Sequence, residues 1–506
     1  MMETVKRIGK QLRCVNLWRV GCLVFLILSF SHFLNISAQP KREFRGAWIQ
    51  CVNGQWLGMS TAKMQQTLTD QLNALQRMGV NAIIFQVRPE ADALYPSEIE
   101  PWSRFLTGQQ GKAPTPYWDP LQWMIDQCHA RNMELHAWIN PYRAKSKTTS
   151  VLAANHISML HPERVFTYDN QLILNPGLQE NRDYICSVVA DIVRRYDVDG
   201  IHYDDYFYPY PVAGQTIQDD AAYAANSNGI RDRGDWRRHQ VNLFVKQLYE
   251  TVHDIKPWVK VGVSPFGIYR NKKNDPNGSA TNGLQNYDDL YADVLLWVNN
   301  GWVDYNVPQI YWEIGNRAAD YDELIHWWNR HAANRPIYVG EDIERTVKFG
   351  QQERKMALYP DCPHVEGTVL WYAKAAVDNV GGYATQLQNR YWRTPALQPL
   401  MPFLSKTAPK KPRKVKALWM DETEQVIFWT PPKGNNWKRE ATRYVIYRFR
   451  KGETVDTNSA SHIVATTTDT FYRLPLGDGT QQYTYVVTAL NRLQNESKPV
   501  KVKVRL

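Results

Sequence analysis

Between residues 44 and about 391, short apolar runs alternate along the chain with longer stretches of helical spacing. The apolar runs have the length of buried strands and are 44–50, 82–88, 134–140, 200–205, 260–267, 304–312, 337–341 and 367–373. The helical stretches between them include 61–78, 119–131, 179–196, 235–256 and 319–332. Eight strands, each followed by a helix, predict an α/β fold of the (β/α)8 TIM-barrel type.

A doubly wound open sheet is the alternative fold for such an alternation. It usually has fewer strands and a glycine-rich first turn, which this sequence lacks, so we favour the barrel.

The connections between the predicted strands and helices differ in length. Those from helix to strand are short, as at 79–81, whereas the strand-to-helix connections 89–118, 141–178 and 206–234 are long. Because barrel enzymes build their sites from the loops that follow the strands, we expect function at this rim.

A second domain is predicted after the barrel, which we assign to residues 39–395. Residues 396–413 are rich in Pro, Leu and Lys and lack periodicity, which predicts a linker. Residues 414–506 contain about seven short alternating runs and no helical pattern, which is typical of a small all-β sandwich. Trp429 and the runs 444–447 and 483–489 resemble a fibronectin type III domain. We expect this domain to act as a spacer or as a module that docks on other proteins.

The first 38 residues have the pattern of a secretory signal peptide. Basic residues precede an apolar run at 20–30, and a small residue, Ala38, follows. We therefore predict cleavage near Ala38 and export, to a periplasmic or envelope location. The apolar run is shorter than the ~20 residues that a membrane-spanning helix needs, so we expect no membrane span in the mature chain.

Composition narrows the class of ligand. Removing the predicted signal peptide, with five basic residues and one acidic residue, lowers the formal net charge from +10 to +6. A charge of this size without a dense basic face does not predict nucleic-acid binding. Aromatic content is high, with 19 Trp and 28 Tyr. Flat side chains in that number suit a surface that stacks on rings, either those of sugars or those of bases.

Cysteines and histidines give no metal signature. Cys51, Cys128, Cys186 and Cys362 have a wide spacing that fits neither a disulfide framework nor a zinc site, and we expect buried free thiols. The His-Xaa-Asp sequence that ends at Asp204 could contribute to a metal site, but no third ligand lies at a useful spacing. We predict no metal and no cofactor.

The strongest candidate for chemistry is the fourth predicted strand with the residues that follow it. Side chains alternate along a strand, so His202 and Asp204 are expected to point together into the barrel mouth, with Asp205 at the rim. Carboxylates and an imidazole are costly to hold near one another unless they are paired. A salt-bridge network with Arg88 or Arg143 is the structural alternative, and we favour catalysis or substrate binding.

Further polar and aromatic side chains end the neighbouring strands and are expected on the same rim. The predicted substrate-binding residues are Arg88, Asp92, Trp102, His136, Trp138, Asn140, Tyr142, Arg143, His202, Tyr206, Gln309, Tyr311, Trp312 and Glu313. Carboxylate, amide, imidazole, guanidinium and indole groups together suit a neutral polyhydroxylated ligand. We therefore predict an oligosaccharide or polysaccharide substrate.

Glycoside hydrolysis needs two carboxyl groups that flank the bond. One protonates the leaving oxygen, and the other attacks the anomeric carbon or activates water. Asp204 is the predicted nucleophile or base, because strand alternation fixes its direction. Glu90 is the first candidate for the acid, followed by Asp205 and Glu313. Whether the outcome is retaining or inverting stays open.

Several ordered motifs resemble the glycosyl hydrolase-like 10 family. They are Phe44–Trp48, Phe85–Pro89, Asp92–Tyr95, Glu100–Ser103, His136–Trp138, Asn140–Arg143, Asp199–Pro209, Gly262–Pro265 and Pro308–Trp312. The resemblance implies a TIM-barrel glycosidase of bacterial envelopes, and relatives of this kind act on peptidoglycan glycan strands stripped of their peptides. The fourth strand also resembles the α-amylase-type strand that ends in its Asp nucleophile, with His202 where those enzymes carry Arg.

The leading hypothesis is an exported glycoside hydrolase that cleaves O-glycosidic bonds in an envelope polysaccharide. One alternative is a catalytically inactive glycan-binding protein, which would bind oligosaccharides saturably and release no reducing ends. Another is a scaffold that docks on envelope proteins through its C-terminal domain. For the scaffold, deletion of 408–506 is expected to abolish localisation and to leave barrel activity intact.

Overall fold

The structure, a computed structural model, describes residues 39–147 and 149–506. The predicted signal peptide, residues 1–38, lies outside the described residues. Eight parallel strands close into a barrel in the order β1-β2-β3-β7-β8-β9-β10-β11. These strands are β1 Phe44–Ile49, β2 Ala82–Arg88, β3 Glu134–Ile139, β7 Gly200–Tyr203, β8 Lys260–Val263, β9 Tyr305–Asn306, β10 Ile337–Asp342 and β11 Val365–Trp371. The predicted (β/α)8 barrel is confirmed.

Helices follow the strands, and the five predicted from the sequence end within two residues of their predicted limits. The helices are Thr61–Met78, Arg104–Thr107, Pro120–Ala130, Ile157–Leu160, Gln179–Arg195, Asp220–Asn226, Arg233–Ile255, Asn286–Asp289, Val294–Asn299, Tyr321–Arg330, Ile343–Lys348, Gln352–Met356, Ala373–Val377 and Tyr383–Gln386. The first begins where the Ser60 side chain accepts a hydrogen bond from the backbone of Lys63 and ends at Gly79, which has a positive φ of 98°.

Large aromatic side chains fill the barrel interior and face glycines on neighbouring strands. Phe44 stacks on Tyr338 with ring centroids 4.1 Å apart, and Tyr305 lies beside both. A Cβ atom on Gly262 would lie 1.9 Å from the Tyr305 ring, and one on Gly367 would lie 2.1 Å from the Phe44 carbonyl oxygen. These two glycines therefore make room for the aromatic layer.

The long connection 141–178 contains a small antiparallel sheet that the sequence did not predict. Its strands are β4 Arg143–Lys145, β5 Val165–Tyr168 and β6 Gln171–Leu174, in the order β4-β6-β5. The sheet starts four residues after β3, so it is anchored at the carboxyl end of the barrel. It gives this part of the rim a regular, hydrogen-bonded frame.

The C-terminal part is all-β, as predicted. Its strands are β12 Arg413–Trp419, β13 Gln425–Thr430, β14 Arg443–Arg450, β15 Ile463–Thr467, β16 Phe471–Arg473, β17 Gln482–Leu490 and β18 Val500–Arg505. They form two antiparallel sheets, β12-β13-β16 and β15-β14-β17-β18. Ile427, Trp429, Tyr444 and Tyr485 are buried between the sheets. The fibronectin type III likeness stays a prediction.

The sandwich packs against the amino-terminal end of the barrel, which we call the barrel floor. Leu493 and Met401 are buried in the same apolar cluster as the aromatic side chains of the barrel interior. The Gln494 amide donates to Glu134 at 3.1 Å, and Glu134 pairs with Lys260 at 2.5 Å. The sandwich loop therefore closes the barrel on the face opposite the rim.

Two further sequence expectations concern the thiols and the membrane. Cys51, Cys128, Cys186 and Cys362 are all buried and unpaired, as predicted. Within residues 39–147 and 149–506, no helix has the length and apolar character needed to cross a bilayer.

Candidate active site

Asp204 directly follows β7 at the carboxyl end of the barrel. Its Oδ2 accepts hydrogen bonds from Trp138 Nε1 at 2.9 Å and from the side-chain amide of Asn140. Its Oδ1 has no hydrogen-bond partner among the residues that the structure describes. Burial raises the pKa of Asp204 to about 7, with Arg143 opposing the rise and Asp205 adding to it. One carboxylate oxygen is thus held by two donors, whereas the other is buried without a partner among the described residues.

The orientation of the Asn140 amide is fixed by two donors. Gln86 Nε2 and an Arg143 guanidinium nitrogen donate to Asn140 Oδ1 at 2.7 and 2.6 Å, so the Asn140 NH2 group must face Asp204. Gln86 is itself oriented, because its Oε1 accepts the backbone N–H of Cys51 at 2.9 Å. Gln86 was missed as a site residue, although a polar residue inside a buried strand is a usable signal.

Asp205 is the second carboxylate of this strand end and faces a different set of partners. The Tyr210 hydroxyl donates to Asp205, and Gln309 also hydrogen-bonds it. Burial raises the pKa of Asp205, and these two hydrogen bonds oppose the rise. Asp204 is oriented by residues at the end of β3, whereas Asp205 is oriented by the segment after β7 and by Gln309. The two carboxyl groups therefore face different walls of the mouth.

Aromatic side chains surround this pair. Trp371 contacts Trp48 and Trp138 edge to face at 6.0 and 6.3 Å between ring centroids, and it stacks on Tyr311 at 6.2 Å. Trp371 and Tyr311 are half-buried, so part of each ring is exposed at the mouth. Trp48 and Trp371 were not predicted as site residues, although both are inward-facing by strand alternation.

His202 points into the barrel, as predicted, at the top of a buried hydrogen-bonded column. Its Nε2 faces the Trp48 indole N–H at 3.4 Å, and its Nδ1 lies 3.2 Å from the Tyr305 hydroxyl. The same hydroxyl lies 2.7 Å from His136 Nδ1, and His136 Nε2 lies 3.1 Å from Glu134. Burial lowers the pKa of His202 well below its ordinary value, so the ring is neutral. His202 and His136 are fully buried and orient groups beneath the mouth.

Glu90, the first candidate for the general acid, is surrounded by hydrogen-bond donors that stabilise its ionised form. Arg104 donates to both of its oxygens at 2.8 and 3.0 Å, and the Ser146 backbone N–H donates at 2.7 Å. Burial would raise the pKa of Glu90, but the hydrogen bonds from Arg104 and Ser146 outweigh it and lower the pKa. Arg104 was missed because it lies far along a loop without periodicity.

Two other residues, one at the end of β2 and one in the loop after it, are also held by internal partners. Arg88 is fully buried, pairs with Glu100 at 2.7 Å and donates to the Asn140 carbonyl oxygen at 2.6 Å. Asp92 accepts from Gln110 at 2.9 Å, and burial together with the charge of Glu90 raises its pKa to about 7. Arg88 therefore supports the end of β3, and Asp92 is enclosed in the loop.

The remaining predicted residues divide between the rim and the core. Tyr142 is fully buried against Phe244, in the layer between barrel and helices. Trp102 contacts the exposed Tyr117, in the loop after β2. Trp312 and Glu313 end the segment after β9, where Trp312 packs edge to face on Phe266 at 5.3 Å. Tyr206 is 37% exposed and lies under Arg143.

Glu313 is bound to Arg345 at 2.8 Å and to Asn316 at 2.8 Å. Burial alone would raise the pKa of Glu313, but these hydrogen bonds outweigh it and lower the pKa.

Over the described parts of the chain, no group of three or more His, Cys, Asp or Glu side chains could hold a metal ion. Asp204 and Asp205, both with raised pKa values, lie side by side at the end of β7.

Residues 43–355 match the family described as glycosyl hydrolase-like 10. The chain belongs to this family. It is therefore a glycoside hydrolase, and the predicted enzyme class and carbohydrate substrate are confirmed at that level. The match covers every strand from β1 to β10 and so includes Asp204, Asp205 and the residues that orient them.

Two sequence relatives agree with the family assignment. Glycosyl hydrolase YngK of Bacillus subtilis is 40% identical over 492 residues, covering 92% of this chain and 94% of that protein. Glycosyl hydrolase DigH of Escherichia coli K12 is 39% identical over 369 residues, covering 66% of this chain and 83% of that protein. The solved glycoside hydrolase domain of PgaB (BpsB) from Bordetella bronchiseptica is 11% identical, with a TM-score of 0.47, and covers 69% of this chain and 99% of that chain.

Proposed function

We propose that this glycoside hydrolase cleaves O-glycosidic bonds in an envelope polysaccharide, with Asp204 and Asp205 as its catalytic carboxyl groups. The observation that carries the proposal is the state of Asp204. One of its oxygens is held by Trp138 and Asn140, the other has no partner among the described residues, and its pKa is about 7. A carboxyl group with these properties is positioned and close to ionisation at neutral pH.

Asp204 acts as the nucleophile or base in this proposal. Its donors, Trp138 and Asn140, stabilise the ionised form and fix the oxygen Oδ2, which leaves Oδ1 as the oxygen without a protein partner among the described residues. Because the Asn140 amide is fixed by Gln86 and Arg143, the direction of the carboxylate is set before substrate binds.

Asp205 acts as the acid. Burial raises the pKa of Asp205, which favours the protonated form that a general acid needs, whereas the pKa values of Glu90 and Glu313 are lowered. Glu90 and Glu313 are also bound by Arg104 and Arg345, which keep them ionised. We assign Glu90 and Glu313 to holding the loops of the rim.

The substrate class follows from the walls of the mouth and from the family. Exposed parts of Trp371, Tyr311 and Tyr206 offer flat faces on which sugar rings can stack. We propose peptide-free peptidoglycan glycan strands as the polymer, in line with the motifs that resemble this family. We also propose that the chain is exported, because residues 1–38 have the pattern of a signal peptide.

The test is Asp204→Asn, assayed on peptidoglycan glycan strands from which the peptides have been removed. We expect release of reducing ends to fall by roughly a thousandfold or more, as for loss of other catalytic nucleophiles, while glycan binding persists. Glu250→Gln, an exposed carboxylate on the helix Arg233–Ile255, is the matched control and should retain full activity. Normal hydrolysis by Asp204→Asn would show that the nucleophile is assigned wrongly.

A further inference from the structure

A pocket opens beside the catalytic pair, between the hairpin β5–β6 and the segment 206–210. Its walls are mostly aromatic and include Tyr168, Tyr206 and Tyr210, with Arg143, Asp169 and Gln171 as polar lining. Tyr168, Asp169 and Gln171 take no part in the chemistry proposed above, and Tyr210 enters it only by donating to Asp205. The proposed catalytic roles therefore do not account for the outer lining of this pocket.

The pocket has a rigid outer wall. The β5–β6 hairpin turns through Asp169 and Asn170, whose positive φ values of 47° and 56° are those of a tight two-residue hairpin turn. The Tyr168 hydroxyl accepts the backbone N–H of Val212 at 2.9 Å, and Gln215 Oε1 accepts that of Asp169 at 2.8 Å. The hairpin is thus tied to Val212 and Gln215, which follow the segment 206–210 of the other wall.

The inner wall of the pocket is shared with the catalytic pair. Tyr210 lines the pocket and donates its hydroxyl proton to Asp205. Arg143 lies over the Tyr206 ring at 4.9 Å and donates to Asn140, which orients Asp204. A ligand in the pocket would therefore be separated from Asp205 by Tyr210 and from Asp204 by Arg143 and Asn140.

The chemistry of the lining selects the ligand. Tyr206 is 37% exposed and lines the pocket beside Tyr210, whose ring lies 5.9 Å away at an angle of 50°, while Arg143 covers one face of the Tyr206 ring. The Asp169 carboxylate and the Gln171 amide can receive hydroxyl or amide protons. The guanidinium of Arg143 already donates to Asn140 and to the Pro89 carbonyl oxygen. An aromatic face with acceptors at its edge suits a neutral pyranose ring rather than an anion.

We propose that this pocket is a subsite that binds a neutral sugar unit of the glycan chain next to the bond that is cleaved. The inference rests on the proposed function, because it takes Asp204 and Asp205 as the catalytic centre. It implies that the enzyme acts within an extended chain and gains affinity from sugar units beyond the reacting one.

The experiment compares peptide-free glycan-strand fragments of increasing length, from disaccharide to octasaccharide. Tyr206→Ala should remove the stacking face and raise the KM for the octasaccharide by about tenfold. The rise in KM should grow with fragment length. Tyr206→Phe, which keeps the ring, should restore the wild-type KM. Phe349→Ala, which removes another exposed aromatic ring, is the control for general surface effects.

Two results would overturn the subsite. One is an unchanged preference for long fragments in Tyr206→Ala, and the other is an equal fall in kcat for every length, which would mean that Tyr206 only supports Arg143. Gln171→Ala, on the opposite wall, must reproduce the length-dependent rise in KM.

Failure of the proposed function gives a different result. If the wild type cleaves no fragment, the catalytic assignment fails, and the pocket is then tested by binding alone. In the Asp204→Asn background, the octasaccharide should bind about tenfold more weakly when Tyr206 is also replaced by Ala. Equal affinity in the two variants would reject the subsite independently of catalysis.

Discussion

The ionisation of Asp204 depends on a small number of identifiable contacts. Burial favours the neutral form, whereas the Trp138 hydrogen bond and the charge of Arg143 favour the ionised form. A nucleophile or base must be ionised, so kcat/KM should rise with pH through an apparent pKa of about 7. Because Asp205 interacts with Asp204, this value belongs to the pair.

Trp138→Phe tests this balance. The substitution removes the indole N–H that donates to Asp204 Oδ2, so the pKa of Asp204 rises and the acidic limb of the pH–rate profile moves to higher pH. A hydrogen bond to a charged group contributes about 1.5–3 kcal/mol, and partial compensation by Asn140 leaves a shift of roughly one pH unit. Trp371→Phe, whose ring contacts Trp138 but makes no hydrogen bond to Asp204, should leave the limb in place. An unshifted limb in Trp138→Phe would contradict the proposed role of the indole.

Asp205→Asn tests the acid. Unactivated glycan strands need protonation of the leaving oxygen, so their hydrolysis should fall by roughly a hundredfold or more. A dinitrophenyl glycoside of the same sugar carries a leaving group that needs no proton, and its rate should fall far less. Equal losses on both substrates would remove Asp205 from the acid role, and Glu313→Gln would be the next variant to compare.

Strand alternation accounts for what could be predicted of single residues. His202 and Asp204 share one side of β7 because successive side chains point to opposite faces, and the structure has both on the inner side. The same rule applied to β1 and β11 would have identified Trp48 and Trp371. By contrast, the partner of Glu90 depends on how the loop after β2 folds back to bring Arg104 to it, and loop conformations have no period in the sequence.

At the scale of elements, the repeating units were predictable and the insertions were not. The helix Thr61–Met78 has the predicted bounds, because its apolar spacing and its capping residues agree. The runs 260–267 and 304–312 contain only the short strands Lys260–Val263 and Tyr305–Asn306. Their remaining residues leave the barrel early and form the rim, so an apolar run overestimates strand length where the chain turns into a functional loop.

The hairpin β5–β6 is another element that periodicity did not reveal. Its two strands have four residues each, too short to establish an alternation, and its turn uses Asp169 and Asn170 rather than glycine. Asn and Asp tolerate a positive φ better than other non-glycine residues, so this turn chemistry is a usable signal. A polar pair between two short apolar runs, within a long strand-to-helix connection, therefore indicates where a barrel rim carries added structure.

At the scale of the whole molecule, the sandwich is joined to the barrel by specific polar and apolar contacts. Arg492 of the sandwich pairs with Asp197 at 2.7 Å, just before β7, and the Asn132 amide donates to the Thr466 carbonyl oxygen at 2.8 Å. Gln494 binds Glu134, the lowest member of the hydrogen-bonded column that ends at His202. The floor and the mouth of the barrel are therefore connected through one continuous polar chain.

These contacts predict that the barrel depends on the sandwich for stability. Leu493 is fully buried in the floor, so Leu493→Ala should cost about 2–5 kcal/mol and lower Tm by several degrees. Leu476→Ala, in the same domain but 71% exposed, is the matched control and should leave Tm unchanged. Scanning fluorimetry at a fixed heating rate measures both variants.

Deletion of 408–506 distinguishes an integral sandwich from a docking module. If the sandwich only docks on other proteins, the shortened chain keeps its activity and its Tm. The floor contacts predict instead that the deletion exposes the apolar ends of Met401 and the barrel aromatics and leaves Glu134 without Gln494. We therefore expect a lower Tm, and glycan hydrolysis lost at temperatures where the full chain remains active. An undiminished Tm would show that the floor closes without the sandwich, and the docking role would then be the better account of this domain.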